Sequence, residues 1–218
     1  MSKTSDLDTR MGAVPQPGPD EAYCPVRACF GGVLVGPCAP CAGKGEVYDA
    51  ETRAVETCEA CGGAGEEPLG DCAACGGRGI VRYAVAKLYE ADRYICANSP
   101  DWLGDDADAR GVTLYSLAKW WRQRSFLGAA VKAAQGELRP MDDDSVLPGD
   151  RTPTEAVVEL LDAQGKVLTT FHGFAWGYGG EGPTGLAAVL ADALPQRFPT
   201  FEQARNFVMA QRQDTWRA

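Results

Sequence analysis

The chain has 218 residues, a formal net charge of −9 at pH 7, nine cysteines and a single histidine. One histidine excludes a His-rich metal site, and a chain this acidic is a poor generic binder of nucleic acid. The length admits one or two domains, and no apolar run is long enough to span a bilayer as a helix.

Residues 1–22 are polar, with prolines at Pro15, Pro17 and Pro19 and no hydrophobic period. They predict a disordered, solvated tail, with a partner-binding segment as the alternative. They carry no signal-peptide pattern, so the expected location is cytoplasmic, where cysteines stay reduced.

Residues 23–82 repeat one pattern, Cys-x-x-Cys-x-Gly-x-Gly, at Cys38/Cys41, Cys58/Cys61 and Cys72/Cys75. Two thiolates three positions apart reach one tetrahedral zinc from a single tight turn. The glycines permit positive φ, so the chain can fold back and aim amides at sulfur. A fourth pair, Cys24 and Cys29, has four intervening residues instead of two. Eight cysteines close two four-thiolate sites and leave Cys96 over as a small buried apolar residue. A disulfide framework is the alternative, disfavoured in a reducing compartment. The segment has few large apolar residues, so metal must stand in for a core. Structural zinc supplies about 10–16 kcal/mol of apparent binding free energy in small peptides. Within it, GEVYDAETRAVET predicts two short strands around a turn at Asp49 to Thr52. Glu59, Glu66, Glu67 and Asp71 make the surface acidic.

These repeats resemble the cysteine-rich domain of DnaJ-type co-chaperones, best over residues 38–82. That family forms an extended, V-shaped β-hairpin with two zincs. The resemblance implies that Cys38, Cys41, Cys58 and Cys61 share one zinc. Cys24, Cys29, Cys72 and Cys75 then share the other. The four-residue spacing of Cys24 and Cys29 departs from the family motif, and Gly31 and Gly32 are only partly in register. The His-Pro-Asp tripeptide of the family's J domain is absent from the sequence. Stimulation of a chaperone ATPase by that route is therefore not expected, and protein binding is what carries over.

Residues 83–138 predict a mostly helical segment. IVRYAVAKLY leaves the zinc module, first as a strand. Ala84 to Ala97 then has Val85, Leu88, Tyr89 and Ile95 as its apolar residues, and Asn98-Ser-Pro100 breaks it. A second helix starts near Thr113, with Leu114, Leu117, Ala118 and Trp121 on one face. Between Thr113 and Gly136 lie Lys119, Arg122, Arg124 and Lys132 and no acid. Bases beside Trp120 and Trp121 suggest a nucleic-acid or acidic-partner surface. Solvated charges flanking a Trp-rich core stripe are the plainer reading, because the four bases do not share a face.

Residues 139–153 read as a linker rich in acids and prolines, and residues 154–218 as a small α+β domain. AVVELLDAQGKVLTTF predicts a hairpin turning at Asp162 to Gly165. A helix follows from Pro183, with Leu186, Val189, Leu190 and Leu194 inward. A last helix starts at Thr200, where Gln203 completes a capping box and Phe201, Ala204 and Val208 face inward. The run GFAWGYGGEGPTGLA resembles a domain of uncharacterised function in actinobacterial and phage proteins. That resemblance implies a compact α+β unit of mobile-element origin and no known activity. The glycine loop lacks the Lys-Ser/Thr of a P-loop, so Trp176 and Tyr178 are expected to pack a turn. His172 is expected to be structural, with no nucleophile motif near it.

The expected fold class is α+β: a zinc-stabilised hairpin module, a helical middle and a C-terminal α+β domain. The expected function is a non-enzymatic protein with two zinc ions that binds another protein, as adaptor or chaperone-like factor. A thiol-disulfide oxidoreductase using Cys-x-x-Cys pairs is the alternative, and nucleic-acid binding through the Trp-containing helix is a third reading.

Overall fold

The computed structural model describes residues 15–49, 53–98, 113–140 and 154–218. Among them the chain is α+β, with eleven strands in small sheets and four helices. It divides into two compact units, residues 1–82 and 83–218.

The first unit is made of short strands between cysteine turns. Strand β1 (Glu21–Tyr23) pairs antiparallel with β7 (Ile80–Arg82), with Tyr23 opposite Ile80. Strands β2 (Cys29–Phe30), β3 (Val33–Pro37) and β6 (Glu66–Asp71) form a three-stranded sheet with β3 in the middle. Strands β4 (Glu46–Asp49) and β5 (Ala54–Thr57) form a separate two-stranded hairpin, as the alternation of GEVYDAETRAVET predicts. Its expected turn falls largely on residues 50–52, outside the described residues.

The second unit opens with α1 (Tyr83–Asn98), so the strand leaving the module is only three residues long. Helix α2 (Thr113–Leu127) follows, then β8 (Ala133–Pro140), β9 (Thr154–Leu161), β10 (Val167–His172), α3 (Glu181–Ala193), α4 (Phe201–Ala210) and β11 (Thr215–Arg217). The four strands form one antiparallel sheet in the order β10-β9-β8-β11. Helix α3 is buried on all sides, with Leu186 to Ala191 fully enclosed, as expected of a helix apolar all round. Its neighbours are α1, α2 and α4. The core joins Leu88 of α1, Trp120 of α2, Ala134 of β8, Val158 and Leu160 of β9, Phe171 of β10 and Val208 of α4.

The structure departs from the sequence reading in four places. Residues 83–138 share this core with the C-terminal residues and do not stand apart from them. Residues 133–140, read as the end of a helical segment and the start of a linker, form a strand inside the sheet. The reason is tertiary. Gly136 lies under the indole of Trp216, where a Cβ would collide with the ring, and β9 and β11 supply the backbone partners. In α2 the enclosed tryptophan is Trp120, whose indole N–H donates to Asp192 at 2.9 Å. Trp121 instead meets Tyr89 of α1 edge-on, with ring centroids 5.4 Å apart. Finally, Glu21 and Ala22, expected in the tail, belong to β1. Residues 1–14 of that tail, the break at 99–100 and residues 141–153 of the linker lie outside the described residues.

Elsewhere the local signals match. Asp162 caps the hairpin turn by accepting from the Gln164 and Lys166 amides at 2.9 and 2.8 Å. Thr200 and Gln203 form both halves of the capping box on α4. Trp176 packs a turn, donating to the Gln213 carbonyl at 3.0 Å, while Tyr178 is exposed. His172 lies 3.1 Å from a carboxylate oxygen of Glu155.

Candidate metal centres

Each Cys-x-x-Cys segment is a tight turn closed by its own backbone. In the first, the Gly43 amide donates to the Cys38 carbonyl at 3.1 Å and the Lys44 amide to the Cys41 carbonyl at 3.0 Å. The chain then reverses, and the Gly45 amide points at the Cys41 sulfur at 3.3 Å. Gly65 repeats this toward Cys61 and Gly79 toward Cys75, each at 3.3 Å. Gly45 has φ of 76° and Gly65 φ of 74°. A Cβ on Gly45 would collide with the Gly63 carbonyl, and one on Gly65 would lie 2.5 Å from the Gly43 carbonyl. Glycine is therefore required twice over at these positions, by backbone angle and by space.

The turns then pair by crossed backbone hydrogen bonds. The Cys38 amide donates to the Gly65 carbonyl and the Cys58 amide to the Gly45 carbonyl, both at 2.8 Å. This brings Cys38, Cys41, Cys58 and Cys61 together as an inner tetrad, all four buried. The outer tetrad, Cys24, Cys29, Cys72 and Cys75, is built alike. Its Cys24 amide donates to the Gly79 carbonyl at 2.9 Å and its Cys72 amide to the Gly32 carbonyl at 2.7 Å. Gly32 thus takes the place of the last glycine of the motif, one residue earlier than the repeats predict. The extra residues of Pro25–Ala28 are absorbed in a turn in which the Cys29 amide donates to the Val26 carbonyl at 2.8 Å. The signal that could have found this is the Gly31-Gly32 pair itself.

The donor atoms fit a tetrahedral ion. Within each tetrad the four sulfurs all lie within 4.8 Å of one another. Cys38–Cys58 and Cys41–Cys61 sulfurs are 3.8 Å apart, Cys24–Cys72 3.8 Å and Cys29–Cys75 3.7 Å. A tetrahedron of four metal–sulfur bonds of about 2.3 Å has edges of about 3.8 Å. All eight cysteines are free thiols. The tetrads are those that the resemblance implied, and each can hold one metal ion.

The thiols within a tetrad are not equivalent. Burial pushes Cys24 up to about 11 and Cys38 up to about 12, and raises Cys29 further. Burial also acts upward on Cys41, but the Gly45 amide and the neighbouring thiols outweigh it and bring it down to about 7. Cys75 is lowered in the same way, by the Gly79 amide and its three partner cysteines, against the effect of burial. Each tetrad therefore pairs a thiol that ionises more readily, Cys41 or Cys75, with at least one that burial holds protonated until an ion arrives, Cys38 or Cys24.

Cys96 does not join either tetrad. It is exposed on the last turn of α1, where Ile95 takes the buried position, and the Arg122 guanidinium donates to its sulfur at 3.4 Å. This corrects the expectation of a buried apolar role. The bases of the tryptophan segment all engage neighbours within the second unit. Lys119 donates to the Thr170 carbonyl at 3.0 Å and Lys132 to the Ala129 carbonyl at 2.9 Å. Arg122 pairs with Asp92 at 2.5 Å and Arg124 with Asp192 at 3.5 Å. No helix among the described residues is long and apolar enough to cross a membrane. No family model, curated protein or solved structure matches this chain.

Proposed function

We propose that this chain is a non-enzymatic protein with two structural zinc ions. It acts by binding another protein through residues 23–82, as an adaptor or chaperone-like factor. The observation that carries this reading is the pair of closed tetrads, each offering four sulfurs at tetrahedral spacing. Four protein ligands leave no vertex for a substrate, which is the pattern of structural and not catalytic zinc. All-thiolate donors suit zinc, and the closed geometry favours structural use over thiol-disulfide turnover. The likeness of the three Cys-x-x-Cys-x-Gly-x-Gly turns of residues 38–82 to the DnaJ-type cysteine-rich domain supports protein binding. The GFAWGYGGEGPTGLA run supports a phage or mobile-element setting.

Elemental analysis of protein purified under reducing conditions tests the metal, with two zincs per chain expected. Capture of a partner from the native host should then disappear on chelation and return on refilling with zinc. Capture that survives complete zinc removal would place the binding site outside residues 23–82. Turnover on a disulfide substrate, lost on Cys→Ser change in one pair while zinc stays bound, would replace this reading with the oxidoreductase.

A further inference from the structure

Two features of the first unit take no part in holding metal: an exposed apolar pair and an unpaired strand edge. Tyr48 and Val55 face each other across β4–β5 and are 66% and 64% exposed. The Cys58 amide donates to the Gly45 carbonyl, so the hydrogen-bonded pairs of this ladder are Gly45–Cys58 and, two residues on, Val47–Glu56. Tyr48–Val55 is then a non-hydrogen-bonded pair, where facing side chains lie closest. The same alternation turns the backbone groups of Val55 and Thr57 to the outer edge of β5. Among the described residues only β4 pairs with β5, and all four residues of β5 are exposed.

Proteins blunt such edges with short strands, charged side chains, proline, bulges or covering segments. Strand β6 follows that rule, with Pro68 in its span and a register shift against β3. Strand β5 reads Ala-Val-Glu-Thr and has no proline or bulge. What it does have is charge of one sign. Glu56 projects on the face opposite Val55, beside Val47, and Val47 packs on the inner tetrad. Four thiolates around a doubly charged cation leave that tetrad about −2. Glu46 lies on the same face as Tyr48, one pair further along, and is exposed.

We infer that the outer edge of β5 accepts an extended segment of another protein in which aliphatic or aromatic residues alternate with lysine or arginine. This rests on the protein-binding reading above and names its surface and the chemistry of its partner. Main-chain hydrogen bonds to Val55 and Thr57 align the added strand. Its apolar side chains extend the Tyr48–Val55 row, and its basic side chains lie beside Glu56 on the other face.

The test titrates full-length, metal-loaded protein into labelled peptides and measures zinc content for every variant. A peptide of alternating lysine and valine should bind, and one of alternating glutamate and valine should not. N-methylation of alternate residues in the lysine peptide, which removes one edge of donors, should abolish binding. Glu56→Lys should weaken the lysine peptide roughly tenfold and admit the glutamate peptide, as cross-strand charge pairs turn from attractive to repulsive. Equal binding of the N-methylated peptide, no effect of Glu56→Lys, or no binding of the lysine peptide would each overturn the inference. If partner capture still depends on zinc in that case, protein binding stands and only this edge is removed. If capture has lost its zinc dependence as well, the parent reading falls with it.

Discussion

Among the described residues of 15–82, the buried apolar side chains beside six cysteines are only Val35, Ile80 and Val81. Residues 83–218 enclose Leu88, Trp120, Val158, Leu160, Phe171, Leu186 and Leu190 around one core. The first unit holds itself by thiol clusters and crossed backbone bonds, the second by burial of apolar area. The difference reaches the surface. Tyr23, Phe30, Tyr48, Val55 and Leu69 are all exposed in the first unit. A fold closed by four-cysteine clusters and backbone bonds has little need to bury such side chains.

Metal removal should separate the two units most sharply. A strong chelator under reducing conditions removes about 10–16 kcal/mol of apparent binding free energy per structural zinc. Backbone amide resonances of residues 15–82 should collapse toward unfolded positions, while residues 83–218 keep a cooperative thermal transition. A single transition covering the whole chain and lost with the metal would break the comparison.

The converse cut is Trp120→Ala. It empties a fully enclosed site and leaves Asp192 without its indole donor. A loss of about 3–5 kcal/mol is expected in denaturant unfolding of the second unit. Zinc content should stay at two per chain.

Acid should act on the first unit through its ligands. Burial raises Cys24 to about 11 and Cys38 to about 12, so both thiols are protonated near neutral pH without metal. Binding must displace those protons, so affinity rises with pH and falls as pH is lowered. The dependence should persist until about pH 11, where the raised thiols begin to ionise unaided. Each tetrad holds at least one such raised thiol, Cys24 in the outer and Cys38 in the inner, so competition against a chromophoric chelator should show at least about a tenfold change per pH unit.

Two glycines, one beside each tetrad, sharpen the account of the metal centres. Gly45 has φ of 76°, no room for a Cβ, and an amide directed at Cys41. Gly45→Ala should lower metal affinity by about 10–100-fold, the usual cost of losing a ligand's supporting hydrogen bond. Gly76 has φ of 58° and nothing within 4 Å of a Cβ. Gly76→Ala should cost only about 1 kcal/mol of local strain and keep the outer site filled. The smallest effect belongs to Cys96→Ser, which should leave zinc content and the melting temperature of the first unit unchanged, since Cys96 lies outside both tetrads.

What the sequence by itself determined is local. Each Cys-x-x-Cys-x-Gly-x-Gly turn is closed by bonds within a few residues, so spacing alone identifies it. The capping box at Thr200 and Gln203 and the Asp162 turn are equally short-range, and both were legible. Which turns share an ion was readable only through a resemblance, because the pairing bonds join residues far apart, such as Cys38 with Gly65. Strands β8 and β11 escaped for the same reason. Ala-Ala-Gln-Gly-Glu-Leu carries good helix formers, and only β9, β11 and the Trp216 ring above Gly136 make it a strand. The choice of Trp120 over Trp121 for the core, and of Ile95 over Cys96, depended on the layers each helix meets on its two sides. Short-range bonds are specified by neighbours in the chain. Burial and long-range pairing are specified by whatever the rest of the fold brings against each face.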